Sequence, residues 1–189
     1  ELGITLQEMG KPDTAERQFR SSLALKPSNI DAIYCLGQVL AEQEKYEEAR
    51  VEYCKALRLV TSAEDIIALS VELSAIGYKD DAIQMYHQAL IDYPDNYYLY
   101  SNIGVELAED GDYRDALFYH EKALQMAPDN ADLWYNITCT YALMNEPMRA
   151  LLALEKAVTL DPGNKAYAVQ DDELESLRKH KRFWKLVKE

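Results

Sequence analysis

Apolar residues recur along the chain at the three-to-four-residue spacing of amphipathic helices, and the helical runs come in pairs. Each run is about 12–14 residues long, the ordinary length of a globular helix. Breakers separate the two runs of a pair: Gly10-Lys11-Pro12-Asp13, Glu44-Lys45-Tyr46, Gly77-Tyr78-Lys79-Asp80, Gly111-Asp112-Tyr113 and Asn145-Glu146-Pro147. All six prolines fall at predicted helix edges. Pro12 and Pro147 stand where a second helix begins, a place where the missing N–H is not needed. Pro27, Pro94, Pro128 and Pro162 follow a second helix and stop it.

The pairs form a repeat. One alanine sets its register, Ala15, Ala49, Ala82, Ala116 and Ala150, at steps of 34, 33, 34 and 34 residues. Upstream of each lies a small or modest residue, Gly3, Gly37, Ser70, Gly104 or Thr138, and downstream another, Ser22, Ala56, Ala89, Ala123 or Ala157. Small residues at these places let two helices approach closely. A lone helix pair cannot bury its apolar side, so the pairs must stack. The units are 1–29, 30–62, 63–96, 97–130 and 131–164. The second ends Val60-Thr61-Ser62 without a proline and is one residue short.

This pattern resembles the tetratricopeptide repeat (TPR) family, whose unit is 34 residues. The residues that carry the resemblance are Trp134, Ile137, Tyr141, Ala150, Ala157 and Pro162 in the last unit. In the unit before it they are Tyr100, Ile103, Gly104, Leu107, Ala116, Ala123 and Pro128. The resemblance implies an all-α, TPR-like α-solenoid, a right-handed superhelix of antiparallel helix pairs. The first helix of unit 1 is expected to be truncated, as in a fragment of a longer array. Residues 165–189 are expected to form a C-terminal capping helix segment. Its Asp172, Leu174, Leu177, Arg178, Arg182-Phe183 and Leu186 resemble the segment that closes bacterial arrays of the family.

Charge narrows the partners. The chain carries −13 overall, which argues against nucleic acid. Residues 178–189 hold six Lys/Arg and one Glu, leaving 14 basic and 32 acidic residues over 1–177. The basic tail suits a helix C-terminus electrostatically and faces an acidic body. No apolar run is long enough for a membrane span. Three scattered cysteines, Cys35, Cys54 and Cys139, read as reduced thiols, which suggests a cytoplasmic setting. His87, His120 and His180 are dispersed, and neither metal-ligand spacing nor a phosphate loop nor a nucleophile motif is present. The chain therefore reads as non-enzymatic, with no cofactor and no metal. His120 stands where the family usually has an aromatic, so a packed histidine is expected.

In the resembling family, the first helices line a concave groove that takes a peptide or partner helix. Here they are expected at about 1–9, 30–43, 63–76, 97–110 and 131–144. They contain eleven acidic residues and no Lys or Arg. Family members that hold a partner's terminal carboxylate use a clamp of Lys, Arg and Asn on these helices. Without the cations no such clamp is expected, because asparagine cannot replace charge-assisted bonds. A basic, neutral or apolar protein or peptide fits better than an acidic one.

Asn102 and Asn136 occupy the same place in successive units. In some superhelices of the family, an asparagine ladder there bonds the backbone of an extended peptide, since an amide donates and accepts at once. The earlier units have Cys35 and Ala68 instead, so two rungs are expected. Tyr98, Ser101 and Tyr135, with Tyr34 and Gln38, complete the candidate partner-binding residues, beside Ile67, Val71, Val105 and Cys139. The expected function is a protein–protein interaction scaffold. A regulatory or substrate-recruiting segment of a larger enzyme and a self-associating homo-oligomer are the alternatives.

Overall fold

The computed structural model describes residues 10–188. The helix expected over 1–9, with Gly3 and two of the eleven acids, lies outside them. The chain divides into two compact units, Glu1–Tyr93 and Pro94–Glu189. Among the described residues every element is helical.

In the first unit the helices are α1 (Pro12–Leu25), α2 (Ile30–Glu42), α3 (Tyr46–Leu57), α4 (Ala63–Ala75) and α5 (Lys79–Asp92). The second unit holds α6 (Tyr97–Glu109), α7 (Tyr113–Met126), α8 (Ala131–Leu143) and α9 (Pro147–Leu160). It closes with α10 (Asn164–Gln170), a 3₁₀ helix (Asp172–Lys179) and α11 (Lys181–Lys188).

Local chemistry explains the boundaries. α2, α4, α6 and α8 each begin on a side-chain cap, from Asn29, Ser62, Asn96 and Asn130. Each cap oxygen accepts a main-chain N–H that the first turn leaves without an intrahelical partner. The helices that follow have no side-chain cap. These helices, like α1, start instead on a turn through one left-handed residue: Gly10 (φ 67°) before α1, then Glu44 (60°), Gly77 (92°), Gly111 (89°) and Asn145 (57°). The residue after the turn donates its N–H back into the preceding helix. Lys45 bonds the Leu40 oxygen at 2.9 Å, Tyr78 bonds Leu73 at 2.9 Å and Asp112 bonds Leu107 at 2.8 Å. Glu146 bonds Tyr141 at 2.9 Å in the same way. This is the Schellman closure, which satisfies carbonyls the helix end would leave open.

The alanines that set the register are all fully buried. So are Ser70, Thr138 and the rings of Tyr53, Tyr86 and His120. The small positions make room for those rings. A Cβ on Gly37 would lie 2.4 Å from Tyr53 Cε1, and one on Gly104 would lie 2.5 Å from His120 Cε1. His120 thus takes the aromatic's place, with neither ring nitrogen partnered. Burial alone pushes its pKa down to about 4.

Leu174, Leu177 and Phe183 of the closing segment are fully buried, in one cluster with Leu151 and Leu154 of α9. Trp184 donates its indole N–H to the Arg178 carbonyl at 2.7 Å, and Arg182 pairs with Glu155 at 2.6 Å. The apolar side of the basic tail is therefore packed against its own unit.

Candidate functional site

In the first unit, the first-helix residues Tyr34 and Gln38 of α2 meet Glu72 of α4. The Tyr34 hydroxyl donates to Glu72 Oε1 at 2.7 Å, and Gln38 Nε2 donates to the same oxygen at 3.1 Å. Gln38 Nε2 also reaches the Tyr34 hydroxyl oxygen at 3.1 Å. Tyr53 donates to Glu72 Oε2 at 3.4 Å from the α3 side. Burial, reinforced by the bond to Glu72, pushes the Tyr34 phenol up to about 12. Burial and then the Glu72 charge push Tyr53 up further. One carboxylate thus gathers three side chains of the preceding repeat, and the Tyr34 hydroxyl and the Gln38 amide nitrogen are engaged within the protein.

The second unit arranges the same face differently. Tyr98, Ser101, Asn102 and Val105 share one side of α6 by helical spacing. Tyr98 is 54% exposed, with its ring centroid 4.1 Å from that of Tyr97. Asn102 Nδ2 donates to the Tyr98 carbonyl oxygen of its own helix at 2.8 Å. Asn136 Nδ2, on α8, donates to the buried Ser101 hydroxyl at 3.1 Å. The two asparagines are each held by their nitrogen, which leaves the amide oxygens to serve as acceptors. The structure thus links Asn136 to α6 through Ser101 and joins Asn102 to its own helix.

Tyr135 turns toward the closing segment. Its hydroxyl donates to Asp171 Oδ2 at 2.8 Å, and burial followed by that bond pushes its pKa up. The Cys139 thiol donates to the same oxygen at 3.7 Å. Burial, then the Glu173 and Asp171 carboxylates, push the thiol pKa up, so it stays protonated. Asp171 Oδ1 accepts the Glu173 N–H at 3.0 Å and caps the 3₁₀ helix. The ligating atoms of Cys139, Asp171 and Glu173 lie within 4.8 Å of one another. The repeat pattern puts Cys139 beside the groove and gives no sign of its contact with Asp171 or Glu173. A separation of 32 residues hides that contact, since only the fold of the closing segment brings it about.

Two cavities flank this cluster. One, of about 340 Å³, is lined by Val105, Glu109, His120, Cys139 and Glu173 among others. The other, of about 580 Å³, is lined by Asp132, Asn164, Tyr167 and Gln170. Tyr135, Asn136 and Asp171 border both. Helices α2, α4, α6 and α8 contain no Lys or Arg, so a carboxylate arriving on this face would meet no cation of theirs.

Paired helices, buried small residues at a fixed period and a polar first-helix face define an all-α repeat scaffold. The chain belongs to the tetratricopeptide repeat family, and its fold is that family's solenoid. One tetratricopeptide repeat model matches residues 1–64 and 72–131, and a second matches 107–170. No curated protein matched the chain. Among solved structures it is similar to YrrB, described as a TPR protein with an unusual peptide-binding site. That likeness is 25% identity over 95% of this chain and 88% of YrrB, with a TM-score of 0.61. It is also similar to MamA, at 21% identity over 88% of this chain and 98% of MamA, TM-score 0.65. A tetratricopeptide repeat protein from Parabacteroides merdae ATCC 43184 is 15% identical over 98% of this chain and 75% of its own, TM-score 0.73. The repeats make the chain a protein–protein interaction scaffold. Among the described residues, no helix is long and apolar enough to cross a membrane.

Proposed function

We propose that the protein binds an extended peptide of a partner protein on the first-helix face of its second unit. Asn102 and Asn136 are the central contacts, with Tyr98 as an exposed aromatic anchor and Tyr135 on the flank. Ser101 acts by orienting Asn136. The carrying observation is that both asparagines are tethered by nitrogen, so their oxygens are pre-oriented to accept peptide N–H groups. Fixed polar groups of this kind bind with less ordering cost than mobile ones. The similarity to YrrB, a protein with a peptide-binding site, supports the same reading.

Tyr34 and Gln38 belong to the corresponding surface of the first unit, where a ligand has to compete with Glu72. With no cation on α2, α4, α6 or α8, the surface works without a carboxylate clamp. The partner is basic, neutral or apolar in the segment it presents. The role is recognition, and no reaction is assigned to these residues.

The test is recovery of a client from lysate by wild type, followed by affinity measurement on that client. Asn102→Ala/Asn136→Ala should weaken binding by about 1–3 kcal/mol if the amides bond a buried backbone. Equal affinity for wild type and the double variant would remove this surface from the binding site.

A further inference from the structure

We propose that the cleft between α8 and the closing segment receives an arginine or lysine side chain of the bound peptide, an inference that rests on the peptide-binding reading above. The two cavities that meet at Tyr135, Asn136 and Asp171 lie between α8 and the closing segment, the smaller one bordered also by Val105, Ala108 and Glu109 of α6 and His120 of α7. Four carboxylate residues line them, Glu109, Asp132, Asp171 and Glu173, and no Lys or Arg does. Arg178 does reach Asp171, but its Nη2 bonds the main-chain oxygen at 2.6 Å. His120 adds no charge near neutrality, because its pKa is held down to about 4. A cation entering this space meets carboxylates from several sides and no Lys or Arg among the lining residues, and a concave site focuses such a field.

A second observation points to a ligand independently of the charge. Asn164 is only 6% exposed, lines the larger cavity, and has a side-chain nitrogen with no hydrogen-bond partner. A buried donor without an acceptor is costly, and native structures rarely leave one. A peptide carbonyl beside the basic side chain supplies the acceptor. Tyr167, 70% exposed on the same cavity wall, offers a ring face on which a guanidinium stacks. One residue of an extended peptide provides all three complements: cation, stem and main-chain carbonyl.

The experiment uses the isotope-labelled chain and three mixtures of acetylated, amidated nonapeptides with random flanks. The fixed central residue is Arg, Gln or Glu. The Arg mixture should bind about fivefold more tightly than the Gln mixture, the scale of one partly screened ion pair, and the Glu mixture more weakly still. The side-chain amide signals of Asn164 and Asn136 should move with Arg. Asp132→Asn/Glu173→Gln should abolish the preference for Arg over Gln while binding of the Gln mixture persists. If all three mixtures bind equally and move Asn102 and Asn136, the peptide surface stands and the basic-residue pocket is overturned. If no mixture moves any of these signals, both readings fall. Shifts at Cys139, Asp171 and Glu173 caused by zinc chloride alone, with none from the Arg mixture, would make the cluster a metal site and overturn the proposal.

Discussion

On the first-helix face of the first unit, Tyr34, Gln38 and Tyr53 all point their donors at one carboxylate, Glu72. On the same face of the second unit, the amides of Asn102 and Asn136 are tied back by one atom each. Tyr135 is tied to the closing segment through Asp171. Both faces come from repeats of one pattern, so the difference arises from a few side chains. An acid at position 72 gathers the donors of its neighbours. Amides at 102 and 136 have both donor and acceptor capacity, so one bond made internally leaves the other available. Bonds gathered on a carboxylate stabilise the fold, whereas an amide held by its nitrogen keeps an acceptor oxygen that a ligand could use.

The comparison extends to the ring beneath each small residue. Gly37 makes room for Tyr53, whose hydroxyl finds Glu72, and Gly104 makes room for His120, whose nitrogens find nothing. The largest expected effect follows. In the folded chain His120 has a pKa near 4, below its ordinary value of 6.5, so the unfolded chain binds more protons between those values. The stability it contributes is complete above about pH 6.5 and is lost as pH falls toward 4, a change on the order of 3 kcal/mol. Urea unfolding of wild type and His120→Phe across pH 4–7 isolates this contribution, because other groups titrate in both proteins. Parallel curves would show that His120 is not the group responsible.

A smaller effect separates the two faces directly. Glu72→Ala leaves the donors of Tyr34 and Gln38 without their acceptor and should cost about 2 kcal/mol in denaturant unfolding. Asn102→Ala/Asn136→Ala removes one bond to the buried Ser101 hydroxyl and should cost about 1 kcal/mol, less than Glu72→Ala, while weakening peptide binding. If the asparagine variant is the less stable of the two, the division into a structural and a recognising face fails.

The smallest effect concerns the turns. Glu44 holds a left-handed φ of 60° where Gly77 and Gly111 supply glycine. Glu44→Gly should raise the stability of the first unit by about 0.5–1 kcal/mol, since glycine adopts this region without a Cβ penalty. A thermal melt of that variant beside Gly111→Ala, which should move the opposite way, checks the sign.

Much of the helical framework was legible in the sequence. The alanine register marks positions that are all fully buried, and Pro12 and Pro147 do open helices. Gly77 and Gly111 announce their turns by composition. Glu44 is recognisable only because it occupies the same place in the period. The caps Asn29, Ser62, Asn96 and Asn130 carry a usable signal too, a short polar residue just before each first helix. The bonding on the exposed faces was not legible. Glu72 read as one of eleven acids, since its bond to Tyr34 spans 38 residues and depends on the rotation of two helices. The closing segment hid more. Its apolar spacing suits a helix, but nothing in it reveals that Asp171 breaks the run and sends its carboxylate to Tyr135.

Asp171 ties parts of the closing segment to one another and to α8. One oxygen holds the start of the 3₁₀ helix, the other holds Tyr135 and Cys139, and its carbonyl holds Arg178. Any occupant of the cleft that draws on this carboxylate also redistributes the grip on the last turns of the chain. If the cleft is filled as proposed, the closing segment should serve as a reporter as well as a wall: its susceptibility to a trypsin-like protease, which cuts after the basic residues it carries, should change with occupancy.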